Sequence, residues 1–247
     1  MNSLDSLKSS IISQFGTPCA VIDLDIIKKN ILRAQKICDV AGVANRPHIK
    51  THKSPLLAKM QIDAGARGIT CQKLGEAEVM AEAGIDDILI ATNILGAAKS
   101  GRLANLQKRL PLKVCADNQI SLREYSIAAK AANRPLDVLI ECDTGQKRAG
   151  VEEPKEAARL IQLILKDNWL KFTGLLYYPP LNGWEDTQVF HNSLTKMLDD
   201  LKVEAKIIST GGTPNFANIG KLTGATEHRA GTCIFNDMMM VEDGFAQ

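Results

Sequence analysis

The alternation of short apolar runs with amphipathic helical segments limits the folds open to this chain more than any other feature. Eight runs read as strands: 46–50, 68–72, 87–92, 112–116, 137–142, 172–177, 206–210 and 226–229. Several, such as DILIAT, DVLIEC and KIIST, are built on continuous aliphatic runs. Strands of a parallel sheet read this way because helices cover both of its faces. Helices are predicted to begin near Ser54, Gly75, Ala98, Gln119, Pro154, Trp184 and Pro214. A further helix, capped by Asp25, precedes the first strand. Its residues Ile27, Ile31, Ala34, Ile37 and Cys38 recur at helical spacing up to Gly42. Residues 2–15 read as a leading helix ended by Gly16, and Thr17 to Leu24 as a strand-like run. Eight strands with seven helices between them, and one before the first, fit an α/β fold of the closed (β/α)8 TIM-barrel type. An open doubly wound sheet is the alternative. The barrel is favoured because no linker, low-complexity segment or composition shift divides the chain. A single domain spanning 1–247 is therefore expected.

Composition excludes several classes of function. Thirty basic against 28 acidic residues give a net charge of +2, and aromatic residues make up 4%. That leaves neither a basic footprint nor a stacking surface for nucleic acid. No apolar run approaches the roughly 20 residues of a membrane span. The first residues lack the apolar core of a secretory signal. Cys19, Cys38, Cys71, Cys115, Cys142 and Cys233 form no CxxC pair, and most lie in apolar runs. They read as reduced core residues of a cytoplasmic protein.

In a parallel barrel, chemistry sits where strands end and helices begin. The first strand leads into RPHIKTHK, with two lysines and two histidines in eight residues. A lysine at the end of a buried strand is either solvated or used as an amine, and a Schiff-base cofactor would use Lys50. His48 shares the side of Lys50 by strand alternation. It reads as packing on a ring, orienting the lysine, or filling the core. His52 stands past the strand at the mouth as a candidate catalytic group. Lys53 and Lys73 read as solvated, His191 as a surface residue, and His228 is open. The seventh strand ends in Thr210-Gly211-Gly212-Thr213-Pro214 and the eighth in Arg229-Ala230-Gly231-Thr232. A glycine turn opening a helix favours an anion, and the seventh and eighth loops of a barrel often hold a phosphate. Arg148, after Asp143 and a glycine-containing loop, is either a surface residue or a fixed guanidinium facing a ring nitrogen or carboxylate. No histidine pair has zinc-ligand spacing, so the predicted set contains no metal ligand.

The segments RPHIKTHKSP, GITCQKLGEAEVMAEAGIDDILIA, ECDTGQKRAGV, STGGTPNF and EHRAGTCIFND resemble, in order, the D-threonine aldolase and eukaryotic-type D-serine dehydratase family. These are pyridoxal-phosphate enzymes with the alanine-racemase-like barrel. The resemblance covers about residues 15–240. It implies Lys50 as the Schiff-base lysine and Arg148 at the pyridine nitrogen. Gly211, Gly212, Thr213, Gly231 and Thr232 would hold the phosphate, with Thr210 beside them. Tyr177 or Tyr178 would line the pocket, and His52 and Gln72 would lie near the ring or substrate. The implied activity is cleavage of β-hydroxy-D-amino acids to glycine and an aldehyde. The alternatives are a D-serine dehydratase, a racemase of the same fold, or a non-catalytic pyridoxal-phosphate-binding protein. The family's divalent metal, Mn or Zn, is expected on a His-x-Asp or His-x-Cys pair in a β-rich C-terminal domain. Residues 237–247 are expected to begin that domain. A homodimer is also implied. The run YYPPLNGW departs from some aldolases in having no histidine.

Overall fold

Each continuously apolar run becomes a parallel strand in the computed structural model, which describes residues 3–246. Helix α1 (Ser3–Phe15) and helix α2 (Leu24–Val40) precede the barrel. The strands are β1 (Ala44–Asn45), β2 (Ile69–Cys71), β3 (Ile88–Ile90), β4 (Leu112–Ala116), β5 (Leu136–Cys142), β6 (Leu170–Tyr177), β7 (Ile207–Gly211) and β8 (Glu227–Arg229). Helices α3 (Pro55–Asp63), α4 (Leu74–Glu82), α5 (Ala97–Arg109), α6 (Gln119–Ala132), α7 (Pro154–Leu165) and α8 (Trp184–Leu201) connect them, and α9 (Met238–Glu242) follows. The strands form one sheet in the order β1-β8-β7-β6-β5-β4-β3-β2. A parallel bridge between His48 and Thr70 joins its ends, aided by Thr70 N donating to Pro47 O at 2.8 Å. The fold is thus the TIM-barrel-like arrangement expected.

Alternation along the strands sorts side chains between two layers. Ile88, Ile90, Val114, Val138, Ile140 and Leu175 face the helices and join the main apolar core. Helix α7 meets that layer with Ala157, Leu160, Ile161 and Ile164, a stripe at helical spacing, all fully buried. Each large aliphatic buried there contributes about 1.5–3 kcal/mol. Leu89, Cys115, Leu139, Leu176 and Ile207 form a second cluster from the alternate positions, inside the barrel. Strands β6 and β7 approach so closely that a Cβ on Gly174 would lie 1.9 Å from the Ile207 carbonyl oxygen. Only glycine fits there.

Four sequence expectations need correction. The first strand is two residues long and ends before Arg46. The following polar run bends because side chains capture its backbone donors. Lys50 N points at His48 Nδ1 (3.4 Å) and Ser54 N donates to His52 Nδ1 (3.0 Å), so residues 49–51 form a 3-10 turn. Asp23, not Asp25, caps α2, accepting from the backbone N–H groups of Asp25 and Ile26. Residues 17–23 carry no strand, having no partner strand to pair with, and are exposed. The segment at Pro214 is a 3-10 turn, Thr213–Asn218, rather than an α-helix. Five of the six cysteines are buried, and Cys19 is exposed. No described helix is long and apolar enough to cross a membrane.

Candidate functional site

The strand ends surround a cavity of about 650 Å³, within the range of small-molecule sites. Lys50, on the 3-10 turn after β1, stands exposed at its wall. Across the mouth, the loops after β7 and β8 supply Gly212, Thr213, Gly231 and Thr232. Gly212 has φ +103°, and a Cβ there would meet the Tyr178 ring at 2.9 Å; one on Gly231 would lie 2.9 Å from the His48 carbonyl oxygen. The absence of both side chains leaves a hollow walled by backbone. Asn215 locks this cradle, donating to the carbonyls of Pro179 (3.0 Å) and Gly211 (3.1 Å), while Cys233 N donates to Thr213 Oγ1 (3.1 Å).

His228 supports the cradle from behind. Its Nε2 lies 3.0 Å from the Gly212 carbonyl oxygen, an acceptor, so Nε2 carries the proton. Its Nδ1 then accepts from Thr210 Oγ1 at 2.9 Å. Thr210 therefore faces the helices and the histidine, not the cavity, because it shares the strand face of Ile208. Gly211 is also off the cavity wall, covered by the Arg229 guanidinium. Tyr177 shares the face of Leu175. It packs edge-on to Phe190, and its hydroxyl lies 3.1 Å from His191 Nδ1. It belongs to the core, and His191 is buried rather than on the surface. Tyr178, one residue on, faces the cavity.

Arg148 reaches the cavity from a loop wrapped around Asp143, whose carboxylate accepts from Gly145 N (2.9 Å) and Arg148 N (2.8 Å). Its guanidinium lies over the Tyr178 ring, 4.5 Å from the centroid. Gln72 and His48 line the same wall. His52 does not. Its Nδ1 accepts from Ser54 N, and its Nε2 pairs with Gln61 Oε1 at 3.2 Å, so both ring nitrogens are occupied where α3 begins. Asn93, Glu141 and Arg229 also line the cavity, though no motif marks them. Alternation points to two of them, since Glu141 follows Leu139 and Arg229 follows Glu227 on the inner face.

The cavity is electropositive, and its ionisable groups respond. Desolvation, then the charges of Arg148 and Arg229, lower the Lys50 amine below the ordinary lysine range; Glu76 opposes them. Burial, then Lys50 and Arg229, push His48 down to about 3. Burial and then Asp117 raise the Glu141 carboxyl, against Arg229 and Arg148.

Burial lowers all four histidines, His228 to about 4. An unfolded histidine takes up its proton near pH 6.5, its ordinary value. In the folded chain all four take it up at lower pH, His48 only near 3 and His228 near 4. The unfolded state therefore binds more protons in this window, and stability falls as pH drops from about 6.5 towards 4. The slope is about 1.4 kcal/mol per pH unit for each fully shifted histidine. Denaturant unfolding at pH 7, 6 and 5 should show this decline. A flat profile would count against buried neutral histidines.

The alanine racemase N-terminal domain matches this chain over residues 22–238. The chain belongs to that family. Among relatives, D-threonine aldolase of Arthrobacter sp is 38% identical over 167 residues, which are 68% of this chain and 44% of that protein. The D-threo-3-hydroxyaspartate dehydratase of Delftia sp. is 32% identical over 236 residues, covering 91% of this chain and 62% of that one. A crystal structure of D-threonine aldolase from Filomicrobium marinum superposes with a TM-score of 0.88 at 31% identity, over 94% of this chain and 65% of that one. The matched part of this alanine-racemase-type chain thus spans between 44% and 65% of the length of these relatives.

Proposed function

We propose that this chain is the cofactor-binding barrel of a pyridoxal-phosphate-dependent lyase acting on β-hydroxy-D-amino acids, with D-threonine-aldolase-like cleavage. The observation that carries the reading is the Lys50 amine, lowered below its ordinary range, facing a backbone-lined hollow across the mouth of an electropositive cavity. Its residues fit the cofactor. Gly212, Thr213, Gly231 and Thr232 would hold the phosphate, Lys50 the aldehyde carbon, and Tyr178, His48 and Gln72 the ring. Arg148 and Arg229 complement its negative charge. When bound, the cofactor supplies an electron sink for cleavage at the substrate Cα.

The chain's own groups account for the other steps. The lowered Lys50 amine loses its proton more readily than an ordinary lysine, and in its neutral form Nζ is nucleophilic and can hold a proton taken from the substrate's β-hydroxyl or Cα. Arg148 would orient the substrate carboxylate or the ring nitrogen, as a permanent planar donor. Tyr178 shields one side of the cavity from water. His52 has no part in this reading, because its nitrogens are engaged elsewhere. A divalent metal fits less well: among the described residues no group of three or more His, Cys, Asp or Glu converges to hold one.

Dehydration is the second reading, supported by the Delftia relative, which matches 91% of this chain. One experiment separates the possibilities. Protein loaded with pyridoxal phosphate and reduced with borohydride should carry the label on the Lys50 peptide. D-threonine, D-serine and D-threo-3-hydroxyaspartate are then assayed with and without Mn²⁺. Glycine with an aldehyde supports cleavage; a keto acid with ammonia supports dehydration. Label at another lysine sinks the site. A labelled Lys50 without either product rejects turnover by this chain and leaves cofactor binding.

A further inference from the structure

A line of polar side chains crosses the inside of the barrel and ends at the cavity floor. Lys113 Nζ donates to Asp87 Oδ1 at 2.9 Å, and Arg46 NH1 donates to the same oxygen at 2.6 Å. Arg46 Nε donates to Glu227 Oε2 at 2.8 Å. Ser209 Oγ donates to Glu227 Oε1 at 2.7 Å and accepts from Arg229 NH1 at 2.5 Å. Arg229 NH2 donates to the Tyr177 carbonyl oxygen at 3.0 Å. Arg46 is 1% exposed, Ser209 and Glu227 are fully buried, and Arg229, at 6%, forms part of the cavity wall.

A barrel interior is ordinarily filled by bulky branched apolar residues, and here those occupy only part of it. Buried ion pairs are a poor route to stability, since apolar residues of the same volume often serve as well or better. The line therefore calls for another purpose, and its cavity end supplies one. We propose that Glu227 and Ser209 are positioning residues: the Glu227 carboxylate, through the Ser209 hydroxyl, holds the Arg229 guanidinium at the cavity floor with its charge against the Lys50 amine.

The Ser209 hydroxyl suits this task. It has one proton, directed to Glu227, so its lone pairs face Arg229. Two anchors, Ser209 Oγ and Tyr177 O, fix the plane of the guanidinium. Arg148, the other arginine acting on Lys50, is exposed on a loop and stacked on Tyr178. Arg229 is the rigid member of the pair. The remaining groups acting on Lys50 are Glu76 of α4, which favours its charge, and Lys53, which opposes it. His48, neutral beside it, adds no charge. The purpose of a neutral amine rests on the pyridoxal-phosphate reading, but the geometry does not.

The test measures the Lys50 amine itself, on the full chain stripped of pyridoxal phosphate. Competitive acetylation with acetic anhydride across neutral and alkaline pH, read by peptide mass spectrometry, compares Lys50 with exposed Lys196. In the wild type, Lys50 should titrate below Lys196. Arg229→Gln should move its profile towards that of Lys196. Ser209→Ala, which leaves every charge in place, should do the same, and so should Arg46→Leu with Glu227→Leu, which removes one charge of each sign. Acetylation of Lys50 relative to Lys196 at neutral pH should then fall several-fold. Ser209→Thr, which keeps the hydroxyl, should keep the wild-type profile. Circular dichroism identifies folded variants, and the charge-neutral pair Arg46→Leu with Glu227→Leu stands in if Ser209→Ala does not fold. A Lys50 profile unmoved by Ser209→Ala and by the Arg46→Leu, Glu227→Leu pair overturns the proposal, as does one unmoved by Arg229→Gln or a wild-type Lys50 that titrates with Lys196. Pyridoxal-phosphate binding is measured separately. Its absence together with a shifted Lys50 rejects the cofactor reading alone; binding with an unshifted Lys50 rejects the positioning role alone.

Discussion

Lys50→Ala is expected to remove borohydride-fixed pyridoxal phosphate from the protein and, on the proposed reading of the site, to lower lyase turnover by at least about 10²–10⁴-fold. That range is the contribution of positioned proton transfer alone, and loss of the covalent attachment adds to it. The same substitution should leave the melting temperature unchanged or raise it. Lys50 is exposed in a cavity with two arginines and gains little from Glu76, so its charge is repelled more than it is held. Loss of turnover without loss of stability is the signature of a group retained for chemistry. Lys53 is the control. It is 58% exposed and pairs with Glu76 at 2.5 Å, away from the cavity wall. Lys53→Ala should keep the label on Lys50. Retention of the label in Lys50→Ala, or its loss in Lys53→Ala, would put the attachment point elsewhere.

What could be read from the sequence follows from how each feature is encoded. Strand Leu112–Ala116 was predicted with its observed bounds, because an apolar run between a proline and an Asp-Asn turn admits few other structures. The first strand was misplaced because Arg46–Lys50 holds one aliphatic residue, Ile49, and histidine side chains compete there for the backbone. Lys50, His48, Gln72, Arg148, Tyr178, Gly212, Thr213, Gly231 and Thr232 all stand on the cavity wall. Strand ends and glycine turns mark local backbone, which motifs describe well. Tyr177 and Thr210 fall on the helix side because a strand turns successive residues to opposite faces, a rule that could have been applied to both. His52 could not be excluded this way, since its capping role depends on Gln61, nine residues on. Alternation puts Arg229 and Glu141 on the inner face, Arg229 as the last of three ionisable residues and Glu141 as a charge in an apolar run, but it does not say what they pair with. Their partners lie on other strands, 20 and 26 residues away, and such pairings exist only once the barrel closes.

Arg46→Leu should cost about 3–5 kcal/mol, the expected loss when one partner of a buried ion pair is removed. For a chain of this size that lowers the melting temperature by about 10 °C. Arg46 is 1% exposed and bridges two carboxylates, Asp87 at 2.6 Å and Glu227 at 2.8 Å. These partners are unequal. Asp87 is 32% exposed and keeps Lys113 at 2.9 Å, so it tolerates the loss. Glu227 is fully buried and would keep only the Ser209 hydroxyl, too little for a desolvated charge. Lys113→Ala, which removes a partner from the 32%-exposed Asp87 and leaves it Arg46, should cost no more than about 1 kcal/mol. Urea unfolding with an unchanged m-value would report these differences as stability alone. The double variant Arg46→Leu with Glu227→Leu should recover much of the loss, because no uncompensated charge then remains inside the barrel. It should not recover the wild-type acetylation profile of Lys50, since Ser209 and Arg229 have lost their carboxylate. If the double variant restores both, the buried line serves packing alone. If it restores stability and leaves Lys50 shifted, the ion pair is kept for the arginine at its cavity end.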